Sequence, residues 1–345
     1  MKLLIITQKV DEDDVALSFF ISWLKRFSQK LDRLYVVCMW EGKHDQIGDN
    51  VKILSLGKEK GTPKLKQLFY FYKYSFGLIK DVDAVFVHMN PIWVILGWPI
   101  FKLSKKNVSL WYAHKSVTLK LKLAHLLADK IFSTSTLSFR IKSQKAVFTG
   151  HGIDTNLFKP SLEGYKSNTV LSVGRITPSK DQETLIRAAD YIVNKKEIKN
   201  INFIIVGGPA VSSDYEYYEK IKNLIKDLNL NDYVNIKGKV THNDLPLIYR
   251  EAKICVNNSL TGSIDKDVLE AAASGCLVLT SNEAFEDQLG SRYLFEKGNH
   301  IELGDKIIDF LDKQPDPELR GLILRKHNLD NLIASILKEI GNLKS

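Results

Sequence analysis

Cysteine is scarce in this 345-residue chain and carries no pattern: Cys38, Cys255 and Cys276 lie far apart, without metal or redox spacing. That speaks against a disulfide framework or a cysteine-based metal site. Two of the three fall inside expected strands, which points to buried thiols in a reducing compartment. Long apolar runs are missing as well. Ala84 to Leu103 comes nearest to membrane length, but His88, Asn90, Pro91 and Pro99 interrupt it, so it reads as strand, turn and short helix. No secretory leader is expected, because Leu3 to Ile6 is a short apolar run that fits a first strand. The chain has no Gly-x-x-x-x-Gly-Lys phosphate loop, no His cluster for a metal, no nucleic-acid module and no low-complexity tract. What is left is a soluble globular composition, long enough for two cores.

The charge is uneven. Residues 1–157 hold 24 Lys or Arg against 13 Asp or Glu, a balance of +11, whereas 158–345 hold 25 against 27, a balance of −2. The cationic half is expected to meet something anionic. Lys58–Lys80 concentrates that charge among aromatics. Read as a helix, it turns Leu65, Leu68, Phe69, Tyr72, Phe76 and Ile79 to the core and leaves Tyr70, Phe71 and Tyr74 among lysines. This is a pattern suited to an anionic membrane surface as well as to a plain basic helix.

Strands and helices alternate. Lys2–Thr7, Leu34–Cys38, Val51–Leu56, Ala84–Val87, Val108–Tyr112, Lys130–Ser133 and Ala146–Thr149 read as strands. Ala16, Phe20, Trp23, Leu24, Phe27 and Leu31 follow helical spacing between the first two. The polar stretch after Gly150–Pro160 breaks the pattern and marks a domain boundary. A second series follows at Thr169–Val173, Asn202–Val206, Val234–Lys237, Ile254–Val256 and Leu277–Thr280, closed by an amphipathic helix with Leu329, Leu332, Ile333, Ile336, Leu337 and Ile340 on one side. The expectation is two α/β units with parallel sheets, with ligands at the carboxyl ends of strands and in a cleft between the halves.

The most telling stretch is Val170-Leu-Ser-Val-Gly-Arg-Ile-Thr-Pro-Ser-Lys180. A buried strand ends at Gly174, placed where a side chain would obstruct a close approach. Arg175 and Lys180 then flank a turn, and Asp181 caps a helix with Leu185, Ala188, Ala189 and Ile192 on its apolar side. A guanidinium and an ammonium at the end of a parallel strand suit a diphosphate. Gly207 and Gly208 end another strand and would leave amides free for an anion. Val240 and Thr241, in the loop before a helix capped at Asn243 or Asp244, could offer backbone groups to a nucleobase. Thr261-Gly-Ser-Ile-Asp-Lys-Asp-Val-Leu-Glu-Ala-Ala-Ala-Ser-Gly275 leads from a small-residue loop into an Ala-rich helix, a start suited to anions. Glu270 could accept ribose hydroxyls. His114 follows a strand of the first half.

Together these stretches resemble the family-4 glycosyltransferases, retaining enzymes of the GT-B fold: two Rossmann-like parallel-sheet domains facing across a cleft. Val173-Gly-Arg with Lys180 is similar to the family's diphosphate-binding pair, Leu269-Glu-Ala-Ala-Ala-Ser-Gly275 to the end of its Glu-x7-Glu motif, and Gly152–Pro160 to its interdomain segment. The resemblance implies an acceptor domain at 1–157, onto which a helix at about 327–345 packs back, and a nucleotide-sugar domain at 158–326. It implies that Arg175 and Lys180 hold the leaving diphosphate and His114 a sugar hydroxyl. Gly174, Gly207, Gly208, Val240, Thr241, Thr261, Gly262, Ser263, Asp265 and Glu270 would line the donor. It also implies a hexosyl transfer in cell-envelope or lipid-linked glycan synthesis, in the cytoplasm or peripherally on the inner face of the membrane, with no metal, no cofactor and no nucleic acid.

Two departures stand out. The family's first Glu falls at Gly262, which leaves its donor contact to Asp265 or Asp267. Paired glycines after the first strand are replaced by Asp11-Glu-Asp-Asp14, and of these Asp11, Asp13 and Asp14 are candidates for acceptor hydroxyls. A GT-B protein that binds a nucleotide sugar without transferring it, and a nucleotide-sugar epimerase of the same fold, are the rival readings.

Overall fold

The computed structural model describes residues 1–14, 17–161, 168–260 and 262–343. It divides into two compact units, one of Met1–Asp154 with His327–Ser345 and one of Thr155–Lys326.

In the first unit, β1 (Lys2–Val10), α1 (Phe20–Lys30), β2 (Arg33–Glu41), β3 (Val51–Ser55), α2 (Lys64–Leu78), β4 (Ala84–His88), α3 (Ile92–Leu103), β5 (Asn107–Trp111), α4 (Leu119–Leu127), β6 (Lys130–Ser133) and β7 (Ala146–Phe148) follow one another. The strands form a seven-stranded sheet in the order β3-β2-β1-β4-β5-β6-β7, parallel throughout. Alternation along β1 shows why both faces are covered. Leu3 and Ile5 pack with Trp23, Leu24 and Phe27 of α1 and with Leu332, Ile333 and Ile336 of the carboxy-terminal helix Leu329–Asn342. Leu4 and Ile6 point the other way, into Phe71, Val94, Phe101 and Leu121 beneath α2, α3 and α4.

Against the sequence-based expectation, three details stand out. β1 runs to Val10 instead of Thr7, because Lys9 and Val10 keep pairing with Trp40 and Glu41 of β2 beyond the last partner on β4. Ala16 of the first helical pattern lies outside the described residues. The third concerns α2, which buries Gln67, Phe71, Ser75 and Leu78 and turns Leu65, Phe69 and Phe76 to solvent. With aromatics on every side of this helix, apolar spacing alone did not single out the packed face. Phe71 settles it by stacking into the core at 4.6 Å from Trp93.

The second unit comprises β8 (Thr169–Val173), α5 (Gln182–Asp190), β9 (Asn202–Val206), α6 (Asp214–Asp227), β10 (Val234–Gly238), α7 (Leu245–Glu251), β11 (Ile254–Asn257), α8 (Lys266–Ala273), β12 (Leu277–Thr280), α9 (His300–Leu311) and α10 (Pro317–Lys326). Its sheet is again wholly parallel, in the order β10-β9-β8-β11-β12. In each unit the chain moves outward from its first strand, then crosses to that strand's other side. The reversal opens a crevice at the carboxyl ends of β8 and β11, and in the first unit at those of β1 and β4.

Candidate functional site

The loops after β8 and β11 are stitched together at that reversal. Leu260 donates its amide to Ser179 O at 2.9 Å, and Asn258 Nδ2 donates to Asp181 O at 3.1 Å. Gly174 has φ +147°, a backbone that only glycine adopts readily. A Cβ there would meet Lys180 at an ordinary 3.8 Å, so the conformation, rather than the close approach expected from the sequence, accounts for this glycine. Arg175 is exposed, while its carbonyl is held by Gln182 Nε2 at 2.9 Å. Asp181 sits in the left-handed region and caps α5 by accepting from Thr184 N and Oγ1. Arg175 and Lys180 therefore leave a rigid turn between a buried strand and a capped helix.

Lys180 is engaged. Its Nζ lies 2.9 Å from Asp265 Oδ1, with both side chains 15% exposed. Burial alone would lower the lysine's pKa, but the carboxylates of Asp267 and Asp265 outweigh it and the net shift is upward. Asn257 Nδ2 bridges the two carboxylates, at 2.8 Å from Asp267 and 3.3 Å from Asp265, and Asn282 Nδ2 adds a bond to Asp265 at 3.1 Å. Asp267 is pushed up to about 6, first by burial, with Lys180 opposing and Asp265 reinforcing the shift. The result is a preformed cation held by a pair of carboxylates, able to exchange one anionic partner for another.

Gly207 plays a different part from the one expected. Its amide donates to Gly238 O at 2.8 Å, so it is not free for an anion. A Cβ on it would lie 1.7 Å from Gly174 O, so Gly207 is there to let β8 and β9 end in contact. Gly208 lies beside Lys239, and its carbonyl accepts from Ile176 N at 3.1 Å. Val240 and Thr241 lie in the loop after β10, where Thr241 Oγ1 donates to Asp244 Oδ2. Asp244 precedes α7 without a side-chain cap bond. Glu270, 5% exposed in α8, is met by His242 Nε2 at 3.1 Å. His242, itself edge-on to Phe158, is a site residue that sequence reasoning missed. Only its place before a helix start, at the carboxyl end of a strand, could have flagged it.

Thr261 lies outside the described residues. Gly262 has φ +64°, and a Cβ on it would lie 2.7 Å from Glu283 Oε1. Glu283, from the loop after β12, thus brings a carboxylate against the backbone of Gly262. Glu283 also pairs with Lys297 at 3.1 Å. Ser263 presents its carbonyl to Asn282 Nδ2 at 2.7 Å.

At the first unit's own reversal, the acidic loop after β1 is largely neutralised. Lys9 lies 2.7 Å from Asp14 and 3.8 Å from Asp11, and Lys43 lies 3.1 Å from Glu12. Asp13 is the exposed member. His114, exposed after β5, accepts at Nδ1 from Ser116 N at 3.1 Å. A neutral ring so held carries its proton on Nε2, which makes it a hydrogen-bond donor to a hydroxyl and a poor general base.

Comparison with known proteins agrees with this geometry. Residues 154–323 match the family model described as glycosyl transferases group 1. A UDP-Gal:alpha-D-GlcNAc-diphosphoundecaprenol alpha-1,3-galactosyltransferase of Escherichia coli is 29% identical over 143 residues, covering 38% of this chain and 35% of its own. The O-antigen chain mannosyltransferase RfbU of Salmonella typhimurium is 24% identical over 215 residues, covering 61% and 56%. The chain spans between 24% and 35% of the length of the first curated relatives it matches. Among solved structures, Anabaena Alr3699/HepE, crystallised with UDP, aligns over 99% of this chain and 100% of its own with a TM-score of 0.80 and 16% identity. That likeness shows the fold, which is GT-B. Residues 154–323, just under half of the chain, are thus similar to the glycosyl transferases group 1 family.

Proposed function

We propose that the protein is a retaining glycosyltransferase that moves a hexose from a nucleotide sugar to a hydroxyl of a cell-envelope or lipid-linked glycan. The observation that carries this reading is the pair Arg175 and Lys180, fixed at the carboxyl end of β8, with buried Glu270 on α8 of the same unit. The UDP held by the Anabaena protein and the lipid-diphosphate acceptor named for the E. coli relative support it.

The bond between the anomeric carbon and the phosphate oxygen breaks, and its electron pair stays on the departing diphosphate. Charge grows there as the sugar becomes oxocarbenium-like, so Arg175 and Lys180 stabilise the transition state more than the ground state. Lys180 exchanges Asp265 for the diphosphate. The acceptor oxygen attacks from the same face, and its proton passes to the phosphate oxygen that has just left. Glu270, positioned by His242, accepts the ribose hydroxyls. Asp265 and Glu283 face the donor sugar in place of the carboxylate missing at Gly262. His114 donates through Nε2 to a sugar hydroxyl, and Asp13 stands on the acceptor side with Asp11 and Asp14. No metal is invoked, since two cations can do the electrostatic work. Work at the inner face of a membrane fits a lipid-linked acceptor. Among the described residues no helix is long and apolar enough to cross the membrane.

The test is acceptor-dependent nucleotide release from UDP-, GDP- and ADP-hexoses, with the anomeric configuration of the product read by NMR. Transfer with retained configuration is expected. Nucleotide binding without transfer to any acceptor in the panel would favour the binding-protein reading, and conversion of the sugar without an acceptor would favour the epimerase.

A further inference from the structure

The apolar side that α2 turns to solvent has a counterpart on α4. Leu65, Phe69 and Phe76 recur along one side of α2 and are 63–83% exposed, opposite the packed face of Gln67, Phe71, Ser75 and Leu78. On α4, Leu119, Leu123 and Leu126 recur at i, i+4 and i+7 and are 44–82% exposed, opposite buried Leu121 and Ala124. Between them, α3 ends in Leu103, itself 85% exposed. All three helices lie on one face of the first sheet, over the core that contains Leu4 and Ile6. Large side chains in water at helical spacing, on neighbouring helices, form a patch of the kind that marks an interaction surface.

Charge identifies the partner. Residues 60–128 contain eleven Lys and two acids, Asp81 and Asp83, a balance of +9 that equals the formal net charge of the whole protein. None of the three helices carries an acid. Asp83 accepts from Lys2 N at 2.7 Å. Where α3 ends and β5 begins there is a cavity of about 220 Å³ lined by Trp98, Lys102, Lys105 and Lys106. Its one carboxylate, Asp129, accepts from Val108 N at 2.7 Å. Three ammonium groups and an indole beside exposed Leu103 suit a phosphodiester headgroup at the edge of an apolar layer. A second copy of the chain would set lysine against lysine.

We propose that the outer sides of α2 and α4, with the end of α3, form a face that docks on an anionic phospholipid bilayer: the leucines and phenylalanines enter the acyl boundary, and the flanking lysines and the Lys102–Lys105–Lys106 cavity take lipid phosphates. This deepens the peripheral location proposed above. It can be tested without nucleotide or acceptor, so its failure is separate from failure of the transfer reading.

The experiment is co-flotation of the full chain with vesicles of phosphatidylcholine alone and of phosphatidylcholine with phosphatidylglycerol. Binding only to the anionic vesicles, weakened by salt, is expected. Replacing Phe69, Leu119 and Leu126 together by Ser should abolish it, and these sites are exposed, so the fold should hold. Replacing Lys66, Lys120 and Lys122 together by Gln should lower partitioning about 10²-fold, from about fivefold per lysine. The melting-point rise with nucleoside diphosphate, a property of the second unit, should persist in both variants. The proposal is overturned by no association with anionic vesicles at low salt, by equal binding to neutral ones, by undiminished binding of the Ser variant, or by a dimer in sedimentation that the Ser variant disperses.

Discussion

The acidic pair beside Lys180 makes a prediction whose sign and size can be worked out. Asp267 lies in the first turn of α8, where burial pushes its pKa from 3.8 to about 6. A carboxyl raised by folding contributes stability that is complete below its unfolded value and is lost as the pH climbs through the folded one. The window here therefore runs from about pH 4 to about pH 6, and the loss is on the order of 2–3 kcal/mol at 1.36 kcal/mol per unit. Asp267→Asn keeps an oxygen to accept from Asn257 Nδ2 and removes the charge. At pH 8 the variant should melt above the wild type, by about 4–12 °C for a unit of this size. The gap should narrow near pH 6 and vanish below pH 4. Lys180 keeps Asp265, so diphosphate affinity should be equal or tighter. Circular-dichroism melts of both proteins at pH 4, 6 and 8 measure this. A variant less stable at pH 8, or a gain that ignores pH, would show that Asp267 is not held in the strained ionised state inferred here.

Four further outcomes are expected. Gly207→Ala places a Cβ 1.7 Å from Gly174 O at φ +138°, so it should destabilise the second unit by about 3–5 kcal/mol. Gly208→Ala, whose Cβ meets only the Lys239 side chain at 3.3 Å, should cost less than about 1 kcal/mol in the same denaturation series. If Glu270 binds ribose, Glu270→Gln should erase a preference for ribo- over 2′-deoxynucleoside diphosphate of roughly 10–10²-fold, the worth of a charge-assisted hydrogen bond, as read by calorimetric titration. His114→Ala should lower kcat and leave nucleoside diphosphate affinity unchanged. Full kcat in that variant would reduce His114 to a local acceptor for Ser116 N.

Much of the fold was legible because both sheets are buried on two faces. Runs such as Val170–Val173 and Ile254–Val256 can only be central strands, and the helices between them carry regular apolar spacing. Strand ends were less legible, as at Lys9 and Val10, where pairing with β2 outlasts the apolar run. The packed side of α2 was misread because Phe69, Tyr70, Phe71, Tyr72 and Tyr74 surround the helix and the choice depends on what the sheet offers beneath it. For the candidate site, residues on one stretch could be read together, as Arg175 with Lys180. Partners brought in from afar could not. His242 reaches Glu270 across 28 positions, and Glu283 reaches the backbone of Gly262 only because β12 lies beside β11. The glycines show the limit of motif reading most sharply, since Gly207 answers to contact between strand ends and Gly174 to its φ.

The central claim, that Arg175 and Lys180 grip a diphosphate, is tested most directly by titrating wild type and Arg175→Ala with UDP, GDP and ADP beside the matching monophosphates. At least one diphosphate should bind wild type about 10²-fold or more tightly than its monophosphate, and Arg175→Ala should remove most of that preference. Equal affinity for mono- and diphosphates in wild type, or an intact preference in Arg175→Ala, would contradict it.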